Sequence, residues 1–232
     1  MSAASVRFPS VSDAGSREAM KLIPAILSQN EEDFRRKVRL AESFADYVQI
    51  DFMDGRFVPS MSVPVSLIRK VAPLFRMEAH LMTERPRSCL GRLKHAGVEK
   101  IHFHVEAADN AKAVAERARS LGLKIGAALN PETPLSVVKK VVGQVDSVLF
   151  LTVHPGHYGH EFVPEVLGKL SAFKREYSHV PVGVDGGVRI EKLETVLAAR
   201  PDFVTVGSAI FANPDPVRLY EKFARRIELS AA

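Results

Sequence analysis

The chain has 232 residues, 46% of them apolar and 25% charged, with a net charge of +5 and a single cysteine, Cys89. This length suits one domain; a lone cysteine excludes an intrachain disulfide or a cysteine metal cluster, and no apolar run approaches the roughly 20 residues of a membrane-spanning helix. The excess Lys and Arg are spread over helix-like segments with few aromatics among them, so they read as a solvated basic surface that favours anionic small molecules, not a nucleic-acid footprint.

Residues 1–20 are rich in Ser and Ala and lack an apolar stretch of signal-peptide type, so they read as a disordered N-terminal extension. A single domain at 21–232 and a cytoplasmic, reducing location are expected. From Lys21 onward, short apolar runs alternate with amphipathic stretches, the βαβα pattern of a parallel sheet. The runs predict strands at Leu22–Leu27, Tyr47–Phe52, Met77–Met82, Lys100–His104, Lys124–Leu129, Ser147–Thr152, Val180–Val184 and Phe203–Val206. Between them, helical spacing is clear at Glu31–Phe44, Asn110–Leu121, Leu135–Val142 and Glu191–Ala199, with Gly97, Gly122 and Gly143 placed as helix C-caps. Eight regular units, without G-x-G-x-x-G after the first strand, favour a closed (β/α)8 TIM barrel over an open doubly wound sheet.

In such a barrel the C-terminal strand ends form the active face. Here they carry Ser28, Asp51 with Asp54 beyond it, His80, His102 and His104, Asn130, His154, Asp185, and Gly207-Ser208. A lone strand-end Asp is commonly a helix cap and a lone His a structural hydrogen-bonding group, but eight strands delivering polar groups to one rim point to a site. Gln49 and Asp51, two apart on one strand, share a face, and His80 and Asp185 come from other strands. These donors could hold a divalent ion such as Zn, Mn or Fe, or form a metal-free hydrogen-bonded cluster.

Asp185-Gly186-Gly187 and Gly207-Ser208 follow neighbouring strands where barrels commonly build a phosphate site from backbone N–H groups. The loop His154-Pro155-Gly156-His157-Tyr158-Gly159-His160 is long enough for a lid. Its histidines also have a spacing that a second metal site could use.

Ile23-Pro24-Ala25-Ile26-Leu27-Ser28, Asp51-Phe52-Met53-Asp54-Gly55-Arg56-Phe57-Val58-Pro59, Ala79-His80-Leu81-Met82, Phe103-His104-Val105-Glu106, Leu129-Asn130-Pro131-Glu132-Thr133-Pro134, Val184-Asp185-Gly186-Gly187 and Gly207-Ser208-Ala209-Ile210-Phe211 resemble the ribulose-phosphate 3-epimerase family, in order along all eight strands. The resemblance implies an isomerase of pentose phosphate metabolism that inverts C3 of a ketose phosphate by a two-aspartate proton transfer through an enediolate, with Asp51 and Asp185 as the acid–base pair. It implies substrate contacts from Ser28, His80, Met82, Gly156, Gly159, Gly186, Gly187, Gly207 and Ser208. It also implies a divalent metal (Zn, Mn, Fe or Co) on Asp51, His80 and Asp185, and a homo-oligomer that binds neither nucleic acid nor membrane.

Gln49 stands where the family has a metal-binding histidine, and its amide oxygen is a weaker donor than imidazole for Zn-like ions, so weaker metal binding, a different preferred metal or no bound metal is expected. The loop 154–160 departs from the family pattern, and Arg56 stands where the family commonly has histidine. Two alternatives remain open: a catalytically weak sugar-phosphate-binding relative, and a lyase on the same phosphate-binding barrel. Against the lyase, Asp51-Phe52-Met53-Asp54-Gly55-Arg56 lacks the lysine of the Asp-x-Lys-x-x-Asp cluster of the decarboxylases that resemble this family in fold.

Overall fold

A computed structural model describes residues 20–107, 110–156 and 161–231. Eight parallel strands close into a barrel in sequence order: β1 (Lys21–Ile26), β2 (Tyr47–Met53), β3 (Arg76–Met82), β4 (Val98–His104), β5 (Lys124–Leu129), β6 (Ser147–Leu151), β7 (Val182–Asp185) and β8 (Phe203–Val206). The helices are α1 (Glu31–Ala41), α2 (Ser66–Val71), α3 (Leu90–His95), α4 (Ala111–Ser120), α5 (Leu135–Lys139), α6 (Glu165–Glu176), α7 (Leu193–Ala198), α8 (Ser208–Phe211) and α9 (Pro216–Ala231). The fold is the (β/α)8 TIM barrel expected from the repeat pattern. No helix among the described residues is long and apolar enough to cross a membrane.

The strands bury both faces, which is why they read as nearly continuous apolar runs. β7 starts at Val182, later than its apolar run suggests. Pro181 accepts a hydrogen bond from the Val148 N–H but has no N–H of its own to donate. α1 stops at Ala41, short of the predicted Phe44. Ser43 Oγ donates to the Leu40 carbonyl at 2.7 Å, and the Phe44 ring packs against Tyr220 with centroids 4.8 Å apart. α5 is also shorter than predicted, because Val142–Gln144 tightens into a 3₁₀ turn. Gly143 is therefore not a left-handed cap, whereas Gly97 and Gly122 have φ of +89° and +66°.

Inside the barrel, side chains alternate along each strand and stack in layers. A small apolar cluster of Ile23, Ala128, Leu149, Leu151 and Phe203 sits beside a polar group low in the barrel. There Tyr47 Oη donates to Glu78 Oε2 at 2.9 Å, Lys100 Nζ lies 3.5 Å from the same carboxylate oxygen, and His102 Nε2 is 3.1 Å from Ser147 Oγ. A buried carboxylate persists only with such partners. Two glycines make room for the rings in this layer. A Cβ on Gly126 would sit 2.0 Å from His102 Cδ2, and one on Gly183 would sit 2.1 Å from Phe203 Cε2.

Candidate active site

The strand register aligns Asp51 with His80 across β2 and β3, and Asp185 with Thr205 across β7 and β8. Closure of the barrel brings these residues together at the floor of a cavity of about 500 Å³, lined by Asp51, His80, Met82, Asp185 and Thr205. Both aspartates are buried. Gln49, one inward-facing position below Asp51, donates from Nε2 to Asp51 Oδ1 and to Asp185 Oδ2, each at 2.7 Å. His80 Nδ1 lies 3.3 Å from Asp51 Oδ1 and 3.5 Å from Asp185 Oδ2.

Two buried carboxylates so close together cannot ionise independently. Burial first, and then the charge of Asp51, push Asp185 up to about 7. His80 is moved the other way by its own burial, but its hydrogen bond to Asp51 and the charges of Asp51 and Asp185 outweigh that, so its pKa is raised. The cluster therefore attracts positive charge, whether a proton or a metal ion. One donor atom from each of Asp51, His80 and Asp185 lies within 4.8 Å of the others, a spacing and N/O chemistry that suit a divalent cation. Gln49, as placed, presents an N–H donor and not the amide oxygen expected of a ligand. Its Oε1 is buried without a partner among the described residues, so rotation of the amide would offer the cluster an oxygen.

Beside the aspartates, Gly186, Gly187, Gly207 and Ser208 line the same cavity, with Arg189 and Lys192 further along that wall. Gly186 has φ of +105°, and a Cβ there would lie 2.4 Å from Val153 Cγ2, so the turn needs glycine both for conformation and for space. Thr152 Oγ1 clamps the turn by donating to the carbonyls of Asp185 and Gly186. Gly156 lines the same cavity. Gly159 and the rest of 157–160 lie outside the described residues, as do residues 1–19 of the expected extension.

Several strand-end residues do not join this cavity. Ser28, expected among the substrate contacts, turns its hydroxyl toward α1 and donates to Asp33 Oδ2 at 2.7 Å, while Ala25 and Leu27 of the same segment line the cavity. Asp54 organises the loop after β2, accepting from the backbone N–H groups of Arg56, Phe57 and Glu84. His102 sits one layer below the rim against Ser147, and its burial holds its pKa well below the usual histidine value. His154 is exposed, 3.3 Å from Glu132. The expectation that all eight strand ends converge on one rim is thus met by only part of the set.

Two residues with no individual role assigned from sequence lie directly behind the cluster. His104 Nε2 is 3.0 Å from His80 Nε2, and His104 Nδ1 is 3.2 Å from Glu106 Oε2. Burial pulls His104 down to about 4, despite Glu106. Burial alone would raise Glu106, but hydrogen bonding by His104 and Thr133 and by the Asn130 N–H keeps it below the usual carboxylate value.

Paired buried aspartates at a barrel mouth, flanked by glycine turns and cationic side chains, are a constellation suited to acid–base chemistry on an anionic small molecule. Residues 21–211 match the Ribulose-phosphate 3 epimerase family, and the chain belongs to that family of isomerase-class enzymes. It is 34% identical over 201 residues to a ribulose-phosphate 3-epimerase of Synechocystis sp., covering 83% of this chain and 87% of that one. It is 29% identical over 202 residues to one of Schizosaccharomyces pombe, covering 84% and 89%. Among solved structures, the 3-hexulose-6-phosphate synthase of Salmonella typhimurium superposes with a TM-score of 0.68 at 16% identity, covering 91% of this chain and 100% of that one, a likeness of fold.

Proposed function

We propose that this chain interconverts ribulose 5-phosphate and xylulose 5-phosphate by moving a proton at C3 between two faces of the sugar. The observation that carries this reading is the approach of Asp51 and Asp185 from different strands to one buried point of the cavity, with Gln49 and His80 between them. One aspartate removes the C3 proton and the other returns one from the opposite side. Gln49 donates to both and holds them in place. Met82 and Leu151 form apolar wall beside the reacting carbon and keep bulk water from it. Gly186, Gly187, Gly207 and Ser208 receive the phosphate with Arg189 and Lys192 nearby, which fixes the distance from phosphate to C3.

Asp51, His80 and Asp185 would hold a divalent ion (Zn, Mn, Fe or Co). When bound, it would supply Lewis-acid stabilisation to the negative charge that develops as the proton leaves. The identity of Gln49 favours looser metal binding than a histidine would give. It also supports the alternative of a sugar-phosphate-binding relative without turnover. The lyase alternative is disfavoured by Asp54, whose carboxylate is engaged by three backbone N–H groups away from the cavity.

The test is a coupled assay for xylulose 5-phosphate formation with protein supplied with each metal in turn. Metal-dependent turnover, lost in Asp51→Asn and Asp185→Asn, is the expected result. Tight binding of the sugar phosphate with no turnover under any metal would favour the non-catalytic relative.

A further inference from the structure

Behind His80 a line of hydrogen-bonding groups runs out of the cavity and ends on an anchored carboxylate. His80 and His104 meet Nε2 to Nε2 at 3.0 Å, with ring centroids 5.1 Å apart. His104 is completely buried, and the ring of Phe57 packs against it at 4.6 Å. Its other nitrogen, Nδ1, lies 3.2 Å from Glu106 Oε2. The second Glu106 oxygen accepts the Asn130 N–H at 2.8 Å and the Thr133 hydroxyl. Glu106 is thereby fixed by the turn that follows β5.

The hydrogens along this line follow from what each group can offer. A carboxylate that already takes two donors on one oxygen is an acceptor on the other, so His104 Nδ1 carries a hydrogen. A doubly protonated His104 would bury a full charge against a second imidazole, which a site without water access disfavours. With one hydrogen on Nδ1, His104 Nε2 is an acceptor, and the 3.0 Å contact is a hydrogen bond only if His80 donates from Nε2. His80 Nδ1 then faces Asp51 Oδ1 and Asp185 Oδ2: without a metal its hydrogen bonds to Asp51, and a cation in that gap takes the place of the hydrogen. A ring nitrogen and two carboxylate oxygens around one gap are a donor set that a cation completes.

We propose that Glu106 and His104 are positioning residues that lock His80 in its Nε2–H tautomer and so present Nδ1 as a ligand to a divalent cation. Neither residue touches the substrate cavity; both act through His80. The role rests on the metal-assisted reading given above. It assigns to the His-x-Glu pair at the end of β4 a duty at the metal cluster, reached across the barrel wall from Asn130 and Thr133.

The experiment uses the full chain with ¹⁵N-labelled histidine and long-range ¹H–¹⁵N correlation, recorded metal-free in mildly alkaline buffer and again with Zn²⁺, which is diamagnetic. The expected pattern is Nδ1–H for His104 and a hydrogen on Nε2 of His80 in both states, with His80 Nδ1 shifted, and any hydrogen on it displaced, on Zn²⁺ addition. Zn²⁺ affinity, read by chelator competition, should fall about 10- to 100-fold in Glu106→Leu, the usual loss when the partner of a ligating histidine is removed. It should be partly restored in Glu106→Gln, whose amide oxygen still accepts from Nδ1. Because the tautomers are read in the unsubstituted protein, a variant that fails to fold leaves the proposal exposed to refutation.

His80 found without a hydrogen on Nε2, or Zn²⁺ bound equally well by folded Glu106→Leu, would overturn the relay and leave the epimerase reading standing. No Zn²⁺ binding by the unsubstituted protein would overturn the relay's purpose and the metal in the proposed mechanism together. Failure of the epimerase reading alone would appear as missing turnover with the tautomers and Zn²⁺ affinity as expected.

Discussion

Replacing Gln49 with leucine, similar in size, removes a side chain that donates to both aspartates. The two bonds are 2.7 Å each, and hydrogen bonds to charged groups contribute about 1.5–3 kcal/mol apiece. Against this, Gln49 Oε1 is buried without a partner among the described residues, and removing an unsatisfied acceptor regains about 1–3 kcal/mol. The metal-free protein should therefore lose about 2–3 kcal/mol of stability. The loss carries a definite dependence on pH. An unfolded aspartate titrates near about 3.9, whereas Asp185 is pushed up to about 7 in the fold. A raised folded pKa contributes stability that is fully present below the unfolded value and is lost as pH rises through the folded one. The Gln49 bonds oppose that rise by favouring the ionised form. Their deletion should cost most above neutral pH and least in mild acid. Urea unfolding with a chelator present, at one pH on each side of that window, measures both values. A loss equal at the two pH values, or below about 1 kcal/mol at the higher one, would refute the bridging role of Gln49.

Gln49→His should tighten Zn²⁺ binding by about tenfold or more, since imidazole is the better donor, and chelator competition against the unsubstituted protein measures it. Gly126→Ala would place a Cβ 2.0 Å from His102 Cδ2 and 2.8 Å from Ser147 Oγ. Overpacking of this kind costs about 1–3 kcal/mol, read as a lowered urea midpoint with unchanged m-value. Lys100→Met leaves the fully buried Glu78 with the Tyr47 hydroxyl but without its ammonium partner. That should cost about 3 kcal/mol in the same assay, and restoring a cation with Lys100→Arg should recover part of it.

The barrel was legible because both faces of every strand are buried, so each strand registers as an apolar run and the repeat counts itself. What sequence left open lay at element ends, where side-chain caps decide. The Ser43 hydroxyl ends α1 before Phe44, and Pro181 delays β7. Asp51, His80 and Asp185 stood out because charged and polar groups interrupt those runs at inward positions. His102 stood out equally and belongs elsewhere: period-two alternation puts it on the same inner face as His104 but one layer lower, against Ser147. Ser28 stands at a strand end, but its orientation depends on Asp33, five residues on, which takes its hydroxyl. The duty proposed for Glu106 could not be read from strand pattern at all, since it depends on a contact between rings of β3 and β4 and on donors from the turn after β5.

The most direct measurement follows deuterium at C3 of ribulose 5-phosphate by NMR, in deuterated buffer, with purified protein loaded in turn with Zn, Mn, Fe or Co. Metal-dependent uptake at C3 that falls by about 10²–10⁴-fold in Asp51→Asn and in Asp185→Asn is the predicted result, the range expected for removing a positioned acid or base. No uptake with any of these metals, from protein shown to be folded, would contradict the two-aspartate epimerase.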